Sequence, residues 1–191
     1  ENVRDFVFFM SEDYKVVSKD VNGVRVNSYY IKHESTAKRM LDLACKSLEF
    51  FSQTYGEYPY SEYDVVETPL SGGAMEYPTV TQMGYYNRMP ETPNPKSLSF
   101  EDEAVVHETA HQWWYGVVGN DQVDEPWLDE SFATYSEVIY IAEKYGEKIA
   151  EEYYNYYCKN NYEYGKLLIT KDEIINKPVN QFSNWDDYGL L

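Results

Sequence analysis

The residues best able to do chemistry in this sequence lie in one segment, His107-Glu108-Thr109-Ala110-His111. In a helix, side chains four residues apart leave the same face, one turn apart. His107 and His111 can therefore bring both imidazoles to one zinc ion, at the ~2.0–2.1 Å that zinc–nitrogen bonds require. Glu108 falls at the edge of that face, where a carboxylate can take a proton from an attacking water instead of binding the metal. The segment predicts a hydrolytic zinc centre, with one Zn²⁺ per chain.

A catalytic zinc site needs a third protein ligand and one open position. The candidate is Glu130, which is separated from His111 by eighteen residues and falls in the first turns of another predicted helix. Gly116, Gly119 and Pro126 lie in the connection and allow the two helices to turn toward one another. Two neutral histidines and one carboxylate leave a net charge of about +1, which favours deprotonation of a water at the site.

Three other residues carry weaker signals. Glu137 follows Glu130 by seven residues, two turns along the same helix face. It can accept a hydrogen bond from a ligand histidine and fix its tautomer, or it can be a structural carboxylate. Cys45 and Cys158 are far apart and neither belongs to a CxxC pair, so we expect two thiols. A disulfide would form only if their Cα atoms lie close together.

The sequence around the three candidate ligands resembles a known enzyme family, the zinc aminopeptidases related to membrane alanyl aminopeptidase and to the bifunctional leukotriene epoxide hydrolase. Residues 111–114 read HQWW and are similar to the family's HQWW or HQWF. Residues 127–130 read WLDE and are similar to its WLNE. Residues 73–77 read GAMEY and resemble its GxMEN, with Tyr77 in place of asparagine.

In this family, the glutamate of GxMEN holds the free α-amino group of the substrate, so the resemblance assigns that role to Glu76. A carboxylate suits an ammonium group in a partly desolvated pocket. Neighbouring glycines let a substrate backbone approach closely, and a strand there can add the peptide as an extra strand. The resemblance thus implies an exopeptidase for peptides or small proteins with a free N-terminus. Its implied substrate-binding residues are Gly72, Gly73, Ala74, Met75 and Glu76.

The family also stabilises the oxyanion of its tetrahedral intermediate with a tyrosine hydroxyl, usually followed one residue later by Lys-Gly-Ala. No such sequence occurs here. Tyr188 lies in about the right region, but residues 189–191 do not match, so we expect this tyrosine beyond Leu191. The chain begins at Glu1 without a visible signal peptide. We interpret it as a piece of a longer protein, weak or inactive alone, whose missing domains are its partners and whose targeting segment, if any, lies outside it.

Strands come first in this sequence and helices follow, which indicates the α+β class. We expect strands over 4–31, a helix over 35–55, strands over 63–67 and 74–83, and helices over 100–115, 126–145 and 147–160. Asn22-Gly23 predicts a hairpin turn. Ser35 and Gly56 are the expected ends of the first helix, and Ser99 with Asp102 predicts a capping box. The resemblance makes residues 1–32 the last strands of an N-terminal β domain and residues 33–191 a truncated thermolysin-like catalytic domain.

Composition excludes several other functions. The chain has 16 Lys and Arg against 33 Asp and Glu, a net charge of −17, which argues against nucleic acid or an anionic membrane surface as a partner. No run of about eighteen apolar residues is present, so we expect no membrane-spanning segment. Hydrophobic residues make up 43% of the chain, enough for a core.

Three alternatives to an aminopeptidase remain open. An endopeptidase with the same zinc site would not need Glu76 to define an N-terminus, so blocking the substrate's α-amine distinguishes it. An epoxide hydrolase would use the same metal site on an ether oxygen, and only substrate trials separate it. A catalytically silent peptide-binding domain would have no need of Glu108 as a general base.

Overall fold

The computed structural model describes residues 3–70, 73–84, 99–169, 176–183 and 188, and gives no side-chain placement for residues 100, 101, 168 and 169. The chain divides into two units, Glu1–Val118 and Gly119–Leu191, and each is described by itself. Gly72 and the loop predicted around residues 90–95 lie outside the described residues.

The first unit is built on a five-stranded mixed sheet with the strand order β1-β2-β3-β5-β4. Its strands are β1 (Lys15–Val21), β2 (Val24–Tyr30), β3 (Glu62–Glu67), β4 (Ala74–Tyr77) and β5 (Val80–Met83). The β1–β2 and β4–β5 pairs are antiparallel, whereas β3 runs parallel to both of its neighbours. Strand β4 therefore forms one edge of this sheet.

The β1–β2 hairpin turns at Asn22-Gly23, as predicted. Both residues have positive φ angles, 51° and 86°, which is the conformation that a two-residue type I′ turn requires. Beyond the hairpin, β2 pairs directly with β3. The domain boundary expected near residue 33 stays a prediction, although this pairing crosses it.

The prediction of a strand over residues 4–10 was wrong. These residues form no strand in the described part of the chain. Side chains, not a backbone ladder, hold the segment: the Arg4 Nε donates to the Tyr115 carbonyl at 2.9 Å, and the Phe9 ring packs edge-on against Tyr77 at 6.4 Å. Phe6 and Phe8 are 85% and 72% exposed, so the apolar run that suggested a strand is not a buried one.

The single strand predicted over residues 74–83 is two strands, β4 and β5, which pair with each other. The chain reverses at Pro78-Thr79, between the paired residues Tyr77 and Val80. Pro78 has no N–H to donate to a ladder and its ring fixes φ, so it favours a turn. Thr79 completes the turn with a φ of 66°.

Helix α1 (Glu34–Tyr55) connects β2 to β3 and packs on β1, β2 and β3. The helix was predicted correctly, but its N-cap is His33 and not Ser35. It ends at Gly56, as predicted, where φ is 115°. Its buried face consists of small and apolar residues at three- and four-residue spacing: Ala37, Met40, Leu41, Ala44, Cys45, Ser47, Leu48 and Phe51.

Helix α2 (Phe100–Ala110) carries the HExxH segment and packs against α1, β4 and β5. The predicted capping box is present: the Ser99 hydroxyl accepts from the Asp102 N–H, and the Asp102 carboxylate accepts from the Ser99 N–H, both at 3.2 Å. The helix ends at Ala110, five residues before the predicted end. After it the chain turns back on itself, with a bridge between Trp114 and Val118.

The second unit is helical. It contains α3 (Pro126–Tyr145), α4 (Glu147–Tyr153), a π-helical segment (Tyr154–Asn160) and α5 (Asn161–Ile169). Helix α3 has the predicted bounds, with Pro126 in its first turn, where the missing N–H costs no hydrogen bond. The helix predicted over 147–160 continues to Ile169, because the backbone passes through the π-helical segment without breaking.

Two further findings concern the whole described chain. No helix within the described ranges is both long and apolar enough to cross a membrane. Cys45 and Cys158 are free thiols, as expected. Cys45 is buried in α1, and burial raises the pKa of its thiol to about 11.

Candidate metal centre and substrate strand

The two histidines of the HExxH segment face each other at the end of α2. His107 lies in the last turn, and His111 is the capping residue, still in the right-handed helical region with φ −61° and ψ −17°. The spacing of four residues therefore brings both side chains to the same face, as it does within a helix. Their Nε2 atoms are 3.0 Å apart, whereas two nitrogens bound to one tetrahedral zinc lie roughly 3.3 Å apart. The residues present therefore fit a zinc ion that both imidazoles share.

The backbone after α2 sets the tautomer of His111. Its Nδ1 lies 2.9 Å from the Trp114 carbonyl oxygen. A carbonyl only accepts, so Nδ1 carries the proton and donates, which leaves the Nε2 lone pair for a metal. His111 is 1% exposed, so this orientation is held by packing as well.

Helix α2 is fixed to the sheet by a chain of hydroxyl groups beneath the HExxH segment. The Thr109 hydroxyl donates to the Val105 carbonyl at 2.7 Å, so its oxygen accepts from the Tyr63 hydroxyl at 3.1 Å. Tyr63 in turn accepts from Thr81 at 2.8 Å. Burial raises the pKa of the Tyr63 phenol, and the charge of Glu108 raises this pKa further. The phenol therefore stays protonated and keeps donating to α2.

The beginning of α2 is fixed to α1 by a buried ion pair. The Arg39 Nε donates to Asp102 at 2.8 Å, and a second guanidinium nitrogen contacts the same carboxylate. Asp102 is 2% exposed and also caps the helix. Both ends of the helix that carries the HExxH segment are thus held by neighbouring elements.

Glu76 lies on the edge strand β4 and is 6% exposed, which is unusual for a carboxylate. It pairs with Thr81 of β5. Gly73, just before the strand, has a φ of 84°, a left-handed conformation that glycine adopts without strain. Ala74 and Met75 are half-buried. An edge strand that carries a buried carboxylate provides both backbone groups and a negative charge for a ligand.

Glu130 lies near the start of α3 in the second unit, as predicted. The Tyr188 hydroxyl donates to its Oε1 at 3.4 Å. Glu130 also lines a cavity of about 490 Å³, whose other walls include aromatic residues. Glu137, further along α3, is buried and accepts from the Tyr153 hydroxyl. Its suggested hydrogen bond to a ligand histidine stays a prediction.

Glu108 lies one residue after His107 and is 6% exposed. Facing imidazoles, an adjacent buried carboxylate and a neighbouring edge strand form the arrangement that an HExxH-type metallohydrolase requires.

Comparison with known proteins agrees with this class. Residues 39–188 match the model of the Peptidase family M1 domain. The chain belongs to peptidase family M1.

Individual relatives are aminopeptidases by name. The chain is 31% identical to Aminopeptidase 2 of Candida albicans over 134 residues, which is 68% of this chain and 14% of the relative. It is 31% identical to Endoplasmic reticulum aminopeptidase 1 of Rattus norvegicus over 169 residues, 84% of this chain and 18% of the relative. It is 31% identical to Aminopeptidase N of Lactococcus lactis subsp. cremoris over 128 residues, 63% of this chain and 15% of the relative. The chain thus spans less than a fifth of the length of these relatives.

Sequence reasoning missed three supports of this site. The Trp114 carbonyl is a backbone group and leaves no trace in residue types. Tyr63 lies in a strand in which nothing distinguishes it from the 20 other tyrosines. In the sequence, Gln112 stands out only as part of the HQWW segment that resembles the family. In the structure it is 1% exposed, and its amide makes three hydrogen bonds.

Proposed function

We propose that this chain carries the catalytic core of a zinc aminopeptidase, which removes N-terminal residues from peptides or small proteins. The observation that carries the proposal is the pair of facing imidazoles at the end of α2, with a buried carboxylate beside them, in a member of peptidase family M1. The names of the relatives support the choice of an aminopeptidase over other peptidases.

The proposed zinc ligands are His107, His111 and Glu130. The fit of the two histidines supports the first two, and the spacing of eighteen residues in the sequence supports the third. When bound, zinc polarises a carbonyl and lowers the pKa of water by several units. Glu130 supplies the negative charge that two neutral imidazoles lack. It lies near the start of α3, so a regular helix holds its backbone in place.

Glu108 is the proposed general base and acid. It takes the proton of the attacking water and later passes it to the leaving amine, so the peptide nitrogen departs as a neutral amine. Its position next to a proposed ligand histidine supports a role in proton transfer to and from the water over direct coordination of the metal. Burial excludes bulk water, which strengthens its electrostatic interactions with the reacting groups.

Glu76 is the proposed anchor for the substrate's free α-amino group, together with Gly72, Gly73, Ala74 and Met75 along the same segment. The edge position of β4 supports binding of the substrate backbone as an added strand. A fixed ammonium position selects the bond after the first residue, which makes the enzyme an exopeptidase. An endopeptidase would lack this dependence on the amine.

The wider organisation of the protein is part of the same proposal. We infer a thermolysin-like arrangement for residues 33–191 and an N-terminal β domain that ends at residues 1–32. The relatives are much longer than this chain, so we also infer that further domains complete the substrate site. The chain alone should therefore hydrolyse peptides poorly.

The proposal is tested with zinc-containing protein at high concentration, on leucine 4-nitroanilide and on its N-acetylated form. We expect cleavage of the free-amine substrate only. Glu108→Gln should lower kcat by about 10²-fold or more while the zinc content stays unchanged. Equal cleavage of the acetylated substrate would instead indicate an endopeptidase. A fully active Glu108→Gln variant would refute the assigned general base.

A further inference from the structure

The turn between β4 and β5 is strained and lies two residues beyond Glu76. Thr79 has a φ of 66°, a conformation that is a genuine outlier for a β-branched residue. A turn with proline first and a left-handed residue second normally has glycine or asparagine in the second place. Such strain persists only where surrounding contacts over-determine the conformation.

Two sets of contacts hold this turn: the Asp64 N–H of β3 donates to the Thr79 carbonyl at 2.9 Å, and the side chain of Gln112 contacts the turn from the other direction in the chain. Its Oε1 accepts from the Thr79 N–H at 2.8 Å, and its Nε2 donates to the Tyr77 carbonyl at 3.2 Å. One side-chain amide therefore satisfies a donor and an acceptor on the two sides of Pro78. The Tyr58 hydroxyl also donates to Oε1, at 3.4 Å.

Gln112 directly follows the metal-ligand candidate His111, and Tyr77 directly follows Glu76. The amide of Gln112 thus joins the residue next to one functional group to the residue next to the other. Gln112 is 1% exposed, so water cannot replace these hydrogen bonds without an opening of the structure. A second hydrogen-bonded connection between α2 and this hairpin runs through Thr81 and Tyr63 on β5 and β3.

We propose that Gln112 is a positioning residue for substrate recognition: its side-chain amide holds the β4–β5 turn, and with it Glu76, at a fixed place beside the metal-binding end of α2. The inference rests on the proposed function, because it takes Glu76 as the anchor of the substrate amine. Without the amide, the strain at Thr79 would relax and move the edge strand, and the ammonium group would lose its aligned partner.

The test compares Gln112→Met with Gln82→Met. Both variants make the same change, from glutamine to methionine, in the same region. Gln82 lies on β5, and its amide donates to Thr68 at 2.9 Å and not to the turn. Binding of leucinamide and of its desamino analogue 4-methylpentanamide is measured by calorimetry on zinc-loaded protein. We expect Gln112→Met to reduce the preference for the amine about tenfold, as small misplacements do, and Gln82→Met to keep it. Hydrogen exchange of the Thr79 amide should accelerate in Gln112→Met only.

A second variant separates positioning from simple stability. Thr79→Gly, added to Gln112→Met, should recover stability because glycine adopts a positive φ freely. The preference for the amine should not recover, because the connection to α2 is still missing. Recovery of both together would overturn the inference, and so would an unchanged preference in Gln112→Met. Wild-type protein that does not prefer leucinamide would instead refute the proposed role of Glu76, even if the Thr79 exchange behaves as expected.

Discussion

His111 shows at the scale of one residue how the fold orients a candidate metal ligand. The Trp114 carbonyl holds its Nδ1 proton, and the Nε2 atom faces His107 at 3.0 Å. The type and spacing of the candidate ligands follow from the sequence because zinc chemistry restricts both. The group that orients His111 was not, because any residue at position 114 has a carbonyl, and only the turn after α2 brings this one into place.

Asp64 gives a test at the same scale, outside the proposed site. It lies on β3, and burial raises the pKa of its carboxyl to about 6, with the Asn27 amide opposing and Glu62 adding to the rise. In the unfolded chain this pKa is near 3.8. The folded state therefore disfavours the charged form, so the stabilisation from Asp64 is complete below about pH 4. It is lost as the pH rises through about 6.

We expect Asp64→Asn to remove this dependence. The difference in free energy of unfolding between Asp64→Asn and the wild type should therefore change in favour of the variant by about 1–2 kcal/mol from pH 4 to pH 7. This range already includes a reduction for partial solvent screening of Asp64. The asparagine can still accept from Asn27, whose amide lies 2.8 Å from the carboxylate. Urea denaturation at several pH values measures the change. The exposed Asp13→Asn serves as control, and a parallel pH profile for Asp64→Asn and wild type would contradict the assignment.

At the scale of the element, α2 shows which boundaries a sequence can predict. Its beginning was predicted because Ser99 and Asp102 form a local pattern with a known hydrogen-bond geometry. Its end was predicted five residues too late, because no glycine or proline follows Ala110 until Gly116, whereas the chain leaves the helix for a turn with a bridge between Trp114 and Val118. Likewise, the strand over 74–83 was predicted as one element although Pro78 divides it. The turn of this hairpin is hydrogen-bonded to Gln112, which is distant in sequence.

The ion pair between Arg39 and Asp102 is a test of how α2 is held. Arg39→Met should lower the free energy of unfolding by about 3–5 kcal/mol, because it leaves the buried Asp102 carboxylate without its cationic partner. As a control, Arg25→Met removes an exposed ion pair with Asp20 and should change the free energy of unfolding by less than about 1 kcal/mol.

A double-mutant cycle with Asp102→Ala checks the same ion pair. The combined variant should be less destabilised than the sum of the two single variants, because the unpaired charge is gone. Additive free energies of unfolding from chemical denaturation would show that Arg39 and Asp102 do not act as a pair.

At the scale of the whole molecule, the sequence predicted the family and the long helix between two groups of strands, because both depend on patterns along the chain. It did not predict that the chain divides after Val118, since this depends on contacts that are distant in sequence. The division separates the HExxH helix from α3, which carries Glu130. The assignment of Glu130 as the third ligand is therefore tested most directly by the metal content of the protein.

The most direct test is the zinc content of purified protein, determined by elemental analysis for wild type, Glu130→Ala and the exposed control Glu147→Ala. We predict about one zinc per chain in the wild type and in the control. Glu130→Ala should lose the metal or bind it at least tenfold more weakly, because a carboxylate ligand is removed. An unchanged zinc content in Glu130→Ala would show that another residue completes the site, and a wild type without zinc would contradict the proposed metal centre itself.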